Sequence, residues 1–261
     1  MPVLLRDVLG YLDTTLEIGR FRDYAPNGLQ VEGAPVATTE VTTIVTGVSA
    51  SAALIERAIE ERAQLLVVHH GLVWGPGLAT ITGPLAHRLR QLLIHGITLA
   101  GYHLPLDAHA QLGNNAGFAD ALGLGADRSW FGDVRGIPLG LAGAWAVPVA
   151  RDVALARIAA AVGASAARFA FPYGPAQVRR VGLCTGAASD LLEAAAGAGC
   201  DLFVTGELAE RAGDLAAELG ITLVAAGHYA TEVFGPQRLA ADLTARFPGV
   251  RATFVPVPSP L

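Results

Sequence analysis

Lysine is absent from this chain of 261 residues: all 18 basic side chains are arginine. A Walker-type phosphate loop, a Schiff-base lysine and a lysine general base are therefore excluded. Cysteine is nearly absent too, with Cys184 and Cys200 alone and no Cys-x-x-Cys spacing. Neither a disulfide framework nor a thiolate zinc site is supported, so any metal must be held by nitrogen and oxygen. Cys184, in the apolar run Val181-Gly-Leu-Cys184, reads as a buried structural thiol. No apolar run reaches the 18 residues or so that a membrane span needs, and the N-terminus has no export signal, so a cytoplasmic protein with no membrane partner is expected. Charged residues are only 16 % of the chain, the net charge is −5 and no long basic run occurs. A nucleic-acid partner is not expected from that balance, whereas a small-molecule substrate is compatible with it. Arg22, Arg88 and Arg135 are candidates for meeting anionic groups, although nothing in the sequence brings them together.

What is present is apolar and repeated. Hydrophobic residues make up 52 %, enough for a large buried core. The tetrapeptide Gly-Ile-Thr-Leu occurs at residues 96–99 and again at 220–223. A shift of 137 positions lays residues 41–70 on 178–207 without a gap, with Leu54-Ile-Glu56 falling on Leu191-Leu-Glu193. Each copy reads as strand, helix, strand, helix, strand. The pattern predicts an α/β protein made of two similar α/β domains from an internal duplication, with mainly parallel sheets flanked by helices. The expected domains are residues 1–125 and 126–261, joined in the Gly/Pro-rich stretch 123–175. An amphipathic helix is expected over 4–16, a strand and helix over 143–149 and 152–163, and a last strand over 253–257 whose sheet the sequence does not assign.

In such sheets the residues just past the carboxyl ends of the strands form the ligand crevice. His69-His70 closes the apolar run 65–68. His103-Leu-Pro-Leu-Asp107 and His228-Tyr-Ala-Thr-Glu232 each follow a Gly-Ile-Thr-Leu strand and place a carboxylate four residues after an imidazole. Imidazole and carboxylate gathered at matching strand ends are what a two-ion metal site requires. His69 and His70 are expected to diverge toward two ions where the strand gives way at Gly71. His228 and Glu232 share a helical face if a helix starts there. Pro105 is expected to keep the middle of the first motif extended, so that Asp107 is a ligand while His103 points at substrate. Glu207 aligns with His70 in the duplicated copy and reads as an outer partner, a general base or a solvated helix-start carboxylate. His87, His95 and His109 read as surface or helix-end residues. Asn27-Gly-Leu-Gln-Val-Glu-Gly33 and Gly113-Asn-Asn-Ala-Gly117 read as tight turns.

Taken together, Asp23-Tyr-Ala-Pro-Asn-Gly-Leu-Gln-Val-Glu-Gly33, Val67-Val-His-His-Gly71, Tyr102-His-Leu-Pro-Leu-Asp-Ala-His109, Gly113-Asn-Asn-Ala116, Thr205-Gly-Glu207 and Ala226-Gly-His-Tyr-Ala-Thr-Glu232 resemble the GTP cyclohydrolase 1 type 2 homologues, the NIF-three-like dinuclear metal-centre proteins, in their short bacterial form. The resemblance covers essentially the whole chain. It implies two α/β domains with a pair of divalent ions between them, held by His69, His70, Asp107, His228 and Glu232, and a ring-shaped homohexamer. Zn, Fe, Mn and Ni all suit such ligands. The implied activity is a metal-dependent hydrolase acting on a nucleotide or related small molecule, with His103 and Glu207 as its catalytic proton carriers. A non-catalytic metal-binding, metal-delivery or scaffold protein is the alternative. Asp214 stands where many relatives carry a histidine.

Overall fold

The structure, a computed structural model, describes residues 2–75, 77, 80–125, 127–163 and 169–259. Its strands in chain order are β1 (Gly28–Val31), β2 (Thr43–Ser49), β3 (Leu65–His70), β4 (Thr98–Gly101), β5 (Ser129–Val134), β6 (Ile137–Ala150), β7 (Phe169–Pro172), β8 (Gln177–Cys184), β9 (Leu202–Thr205), β10 (Thr222–Ala225) and β11 (Arg251–Phe254). Its helices are α1 (Leu5–Thr15), α2 (Ala52–Glu60), α3 (Gly83–Ile94), α4 (Leu104–Ala108), α5 (Asn114–Ala121), α6 (Arg151–Val162), α7 (Leu192–Gly197), α8 (Ala212–Leu219), α9 (His228–Thr231) and α10 (Phe234–Arg246).

Two mixed sheets carry the duplication. The first has the order β1-β4-β3-β2-β11, and the second β5-β6-β8-β9-β10-β7. In the first, β2-α2-β3-α3-β4 supplies three adjacent parallel strands, and in the second β8-α7-β9-α8-β10 does the same. Each trio is flanked on its third strand by an antiparallel edge, β1 on β4 and β7 on β10. The repeated Gly-Ile-Thr-Leu has a local cause. Gly96 and Gly220 follow α3 and α8 with φ of 64° and 63°, the left-handed stop a helix uses before the chain turns into the next strand. Ser51, by contrast, starts α2 by accepting the Leu54 amide on its hydroxyl at 3.2 Å.

Each sheet has its own core. Val45, Leu54, Ile55, Leu66, Val68 and Leu99 are buried together on the first, as are Phe118, Leu141, Val181, Leu183, Val204 and Val224 on the second. The chain divides into Met1–Leu106 with Gly235–Val257, and Asp107–Phe234 with Pro258–Leu261. That division differs from 1–125 and 126–261, whose boundary residue 126 lies outside the described residues. The reasons are pairings that the repeat does not encode. α5 packs on β6 and β8, drawing residues past 107 to the second unit, and β11 pairs in parallel with β2, drawing the chain's end back to the first.

Four local expectations change. Residues 27–33, read as a tight turn, contain strand β1, and residues 113–117, read the same way, open helix α5. Asp133-Val-Arg-Gly is the turn of a β-hairpin rather than part of a linker. Val134 pairs with Ile137 across Arg135 and Gly136, both at positive φ (56° and 89°), as a two-residue primed turn requires. Pro105 does not keep its segment extended. It sits in the first turn of α4, where its missing N–H has no intrahelical acceptor to lose. No helix among the described residues is long and apolar enough to cross a membrane.

Candidate functional site

In the first unit, three imidazoles meet at the carboxyl ends of β3 and β4. His69 and His70 are the last two residues of β3, and His103 lies two residues beyond β4. β3 carries both residues, with His70 opposite Ser49, and gives way at Gly71 as expected. Their rings nevertheless lie side by side, with centroids 4.5 Å apart, and the His103 ring is 5.1 Å from that of His69. One ligand atom from each of the three falls within 4.8 Å of the others. His103 thus has the placement of a candidate metal ligand beside His69 and His70.

The partners of the His69 and His103 rings fix which nitrogen each presents, while the Ser49 hydroxyl at His70 suits either tautomer. Nδ1 of His69 donates to the carbonyl oxygen of Tyr102 at 3.0 Å. Nδ1 of His103 lies 2.7 Å from the Asp23 carboxylate, and Nδ1 of His70 lies 3.1 Å from the Ser49 hydroxyl. A ring that donates from Nδ1 carries its lone pair on Nε2, the arrangement of a metal-ligating histidine with an oxygen behind it. Asp23 is itself held. Its second oxygen accepts the Leu104 amide at 2.8 Å and the Asn27 side chain at 3.0 Å, while Asn27 accepts the His103 amide. Burial alone would raise the Asp23 pKa, but the His103 hydrogen bond and charge outweigh it and hold the carboxyl below its usual range. Behind Tyr102, the phenol donates to Asp13 at 2.8 Å, and burial followed by the Asp13 charge pushes its pKa well up.

In the second unit, the site residues collect at the ends of β8, β9 and β10. α9 begins at His228, and its single turn brings Nε2 of His228 to 3.1 Å from Glu232, four residues on. Nδ1 of the same ring is 2.6 Å from Glu207, which follows β9. Of the roles open to Glu207, this contact is that of an outer partner to His228. Burial lowers the tendency of His228 to carry a proton, but Glu232 and then Glu207 reverse that and raise its pKa to about 9. Two carboxylates on one ring make this a place for positive charge.

Asp107 is buried and tied down from both sides. Asn114 and the Thr185 hydroxyl donate to its Oδ1 at 2.9 and 3.2 Å, and Asn115 donates to its main-chain oxygen. Asn115 in turn accepts the Thr185 amide. Read as a turn from sequence, Asn114-Asn115 is thus the frame of the Asp107 carboxylate; the signal was two adjacent amides seven residues after a carboxylate. The Cys184 thiol is pushed well above its usual pKa, first by burial and then by the charges of Asp107 and Glu232. Gly186 lies against the same group. At φ of 70°, a Cβ added there would lie 2.4 Å from Oε1 of Glu232 and 3.3 Å from Nε2 of His228. Only glycine leaves that space open.

Other candidates have other duties. Arg88 donates to the carbonyls of Pro84 and Ala50, and Arg135 occupies the hairpin turn. His109 accepts the amides of Gln111 and Leu112 at the end of α4, His95 follows α3, and His87 is exposed. Asp214 lies in the first turn of α8. Nitrogen and oxygen donors in this arrangement are able to hold divalent metal.

Comparison with known proteins agrees over the full length. Two bacterial proteins named GTP cyclohydrolase 1 type 2 homolog are each 42 % identical: that of Neisseria meningitidis serogroup B over 240 residues, 91 % of this chain and 92 % of the relative, and that of Allochromatium vinosum over 258 residues, 98 % and 97 %. Among solved structures, protein ybgI superimposes with a TM-score of 0.89 at 37 % identity, covering 99 % of this chain and 100 % of that one. TTHA1606 from Thermus thermophilus gives 0.84 at 35 % identity, covering 98 % of each. Residues 3–260 match the Duf34/NIF3 (NGG1p interacting factor 3) family, and the chain is a member of it.

Proposed function

We propose that this protein binds two divalent metal ions through His69, His70, Asp107, His228 and Glu232, and is a hydrolase acting on a nucleotide or a related small molecule. The observation that carries this reading is the hydrogen bonding of the three clustered imidazoles, each engaged at Nδ1 by an oxygen. Rings held that way are oriented and ready to ligate through Nε2. Zn, Fe, Mn and Ni all suit nitrogen with carboxylate oxygen. When bound, such ions supply an acidified water and polarise a substrate oxygen.

The chain's own residues then have defined duties. Tyr102, Ser49 and Asp23 orient the three imidazoles. Asn114, Asn115 and Thr185 hold Asp107 in place. Asp23 on Nδ1 of His103 also suits a ring that takes up or releases a proton at Nε2, and Glu207, which is half exposed beside His228, is the second proposed proton carrier. The relatives' name, GTP cyclohydrolase 1 type 2 homolog, supports a nucleotide substrate. A homo-oligomer, the ring-shaped hexamer of the resemblance, and a cytoplasmic setting belong to the same reading; two free, buried cysteines fit the latter.

The test is metal analysis of protein purified without added metal, followed by turnover measurements on nucleotides and phosphoesters. A His69→Ala, His70→Ala double variant runs alongside. Two ions per chain, with turnover that disappears in the variant, support the reading. Tight metal binding with no turnover on any substrate assigns the protein to metal delivery or scaffolding instead.

A further inference from the structure

Two large aromatic side chains stand exposed beside the imidazole cluster: Trp74 at 39 % and Tyr24 at 45 %. Exposed single aromatics are common on protein surfaces, but these two are fixed in place and touch the cluster. The Trp74 ring lies 5.1 Å from that of His103, nearly perpendicular to it, and 5.7 Å from that of His70. The Tyr24 ring lies 6.1 Å from that of His103, also edge to face.

Gln30 is what fixes them. Its Oε1 accepts the amides of Leu72 and Val73, at 2.8 and 3.2 Å, and its Nε2 donates to the carbonyl of Pro26 at 2.9 Å. One side chain thus clamps the loop that carries Trp74 to the loop that carries Tyr24. Two further bonds complete the frame. The indole N–H of Trp74 donates to the carbonyl of Gly71 at 3.1 Å, and the Gly75 amide donates to the carbonyl of Tyr24 at 2.7 Å. The Tyr24 amide donates to Asp23, the same carboxylate that holds His103. The segment Asn27-Gly-Leu-Gln-Val-Glu-Gly33, a set of tight turns by sequence, therefore ties an aromatic pair to the imidazoles.

Aromatic side chains held together at the rim of a polar cluster are the kind of apolar surface that ligand sites use. A preorganised indole offers a π-face to any flat ring, and the edge-on contact with His103 sets that ring's distance from the imidazoles. We propose that Trp74, supported by Tyr24 and clamped by Gln30, is the specificity-determining platform of this site, and that it stacks the planar heteroaromatic ring of the substrate. The proposal rests on the reading of the imidazole cluster as the reaction site and adds the ring to the substrate's description. A ring-free phosphate or sugar phosphate lacks the surface this platform recognises.

The test uses the full-length, metal-loaded protein, with guanosine 5′-monophosphate, adenosine 5′-monophosphate and ribose 5-phosphate as probes. Affinities are measured by titration calorimetry for the native chain and for Trp74→Ala, Trp74→Phe and Tyr24→Ala, and metal content is measured on each sample. The nucleotides are expected to bind at least about tenfold more tightly than ribose 5-phosphate. Trp74→Ala is expected to remove about tenfold or more of nucleotide affinity without changing the ribose 5-phosphate value, while Trp74→Phe stays within about threefold of the native chain. Metal content is expected to be the same in all four. Equal affinities for nucleotide and ribose 5-phosphate, unchanged nucleotide binding in Trp74→Ala, or no binding of either nucleotide would overturn the platform. Trp74-dependent nucleotide binding by a protein that retains no divalent ion leaves the platform standing and overturns the metal reading alone.

Discussion

At the scale of single residues, the site depends on groups that hold its charges as much as on the charges themselves. Asp107 is the clearest case, because Asn114 and Thr185 both donate to one of its oxygens. Asn114→Ala removes a buried donor to a carboxylate, a change that costs about 1.5–3 kcal/mol. The expected outcome is a lower Tm together with weaker metal retention on a chelating column. Gly186 is a sharper test, since its added Cβ would meet Glu232 and His228 within the site. Gly186→Ala is expected to lose metal content while its far-ultraviolet circular dichroism stays native; full metal occupancy would show that Glu232 and His228 are not the metal ligands. The thiols make a prediction about pH. Burial is the main force raising the Cys200 pKa to about 11, and it also pushes the Cys184 thiol well up. Both are therefore protonated thiols at pH 8, and the reactive thiolate is scarce. A thiol-titrating reagent at pH 8 is expected to label neither cysteine in the folded protein and both in denaturant. Reactivity of Cys200 is expected to rise as pH approaches 11.

At the scale of elements, the two copies of the unit make matched predictions. Gly96 and Gly220 end α3 and α8 at the same backbone angle, and an added Cβ meets no atom closer than 4.0 Å at the first and none within 4 Å at the second. Substituting alanine at either therefore tests conformation alone. Gly96→Ala and Gly220→Ala are each expected to destabilise by about 1–2 kcal/mol and by similar amounts, measured by urea unfolding. This repeat was legible in the sequence because helix stops, strand runs and strand-end histidines recur at a fixed spacing. So were α1, α6 and the imidazole pair on β3. What stayed hidden depends on partners distant in the chain. Pairing of β11 with β2 leaves no mark on the local sequence, since any short β-branched run fits any parallel edge. The β5–β6 hairpin was hidden by its Arg-Gly turn, where arginine takes a left-handed conformation it rarely adopts. The clamp by Gln30 and the frame around Asp107 were hidden for another reason: an amide side chain has the same appearance in a turn as in a hydrogen-bonded network.

At the scale of the whole molecule, the proposed metal binding is expected to be coupled to the fold. An ion that binds only the folded protein stabilises it in proportion to the logarithm of its concentration over Kd. Treatment with a chelator is expected to lower Tm, and re-addition of Zn, Fe, Mn or Ni to restore it, read by differential scanning calorimetry. At an ion concentration a hundred times Kd the stabilisation is about 2.7 kcal/mol per site. The same shift should be absent in the His69→Ala, His70→Ala variant. Light scattering tests the proposed assembly, which requires a particle of six 26.9 kDa chains.

The placement of β11 has a consequence for biosynthesis. Its partner β2 is complete within the first 49 residues, yet β11 is made some two hundred residues later. Until translation reaches Arg251, one flank of that sheet has no neighbour to zip against, while the sheet encoded in between already has every strand it needs. All the strands of the second sheet have therefore been made before the first sheet can acquire its last one. During that interval the outer edge of β2 presents unpaired backbone groups, the kind of open edge that pairs with other chains.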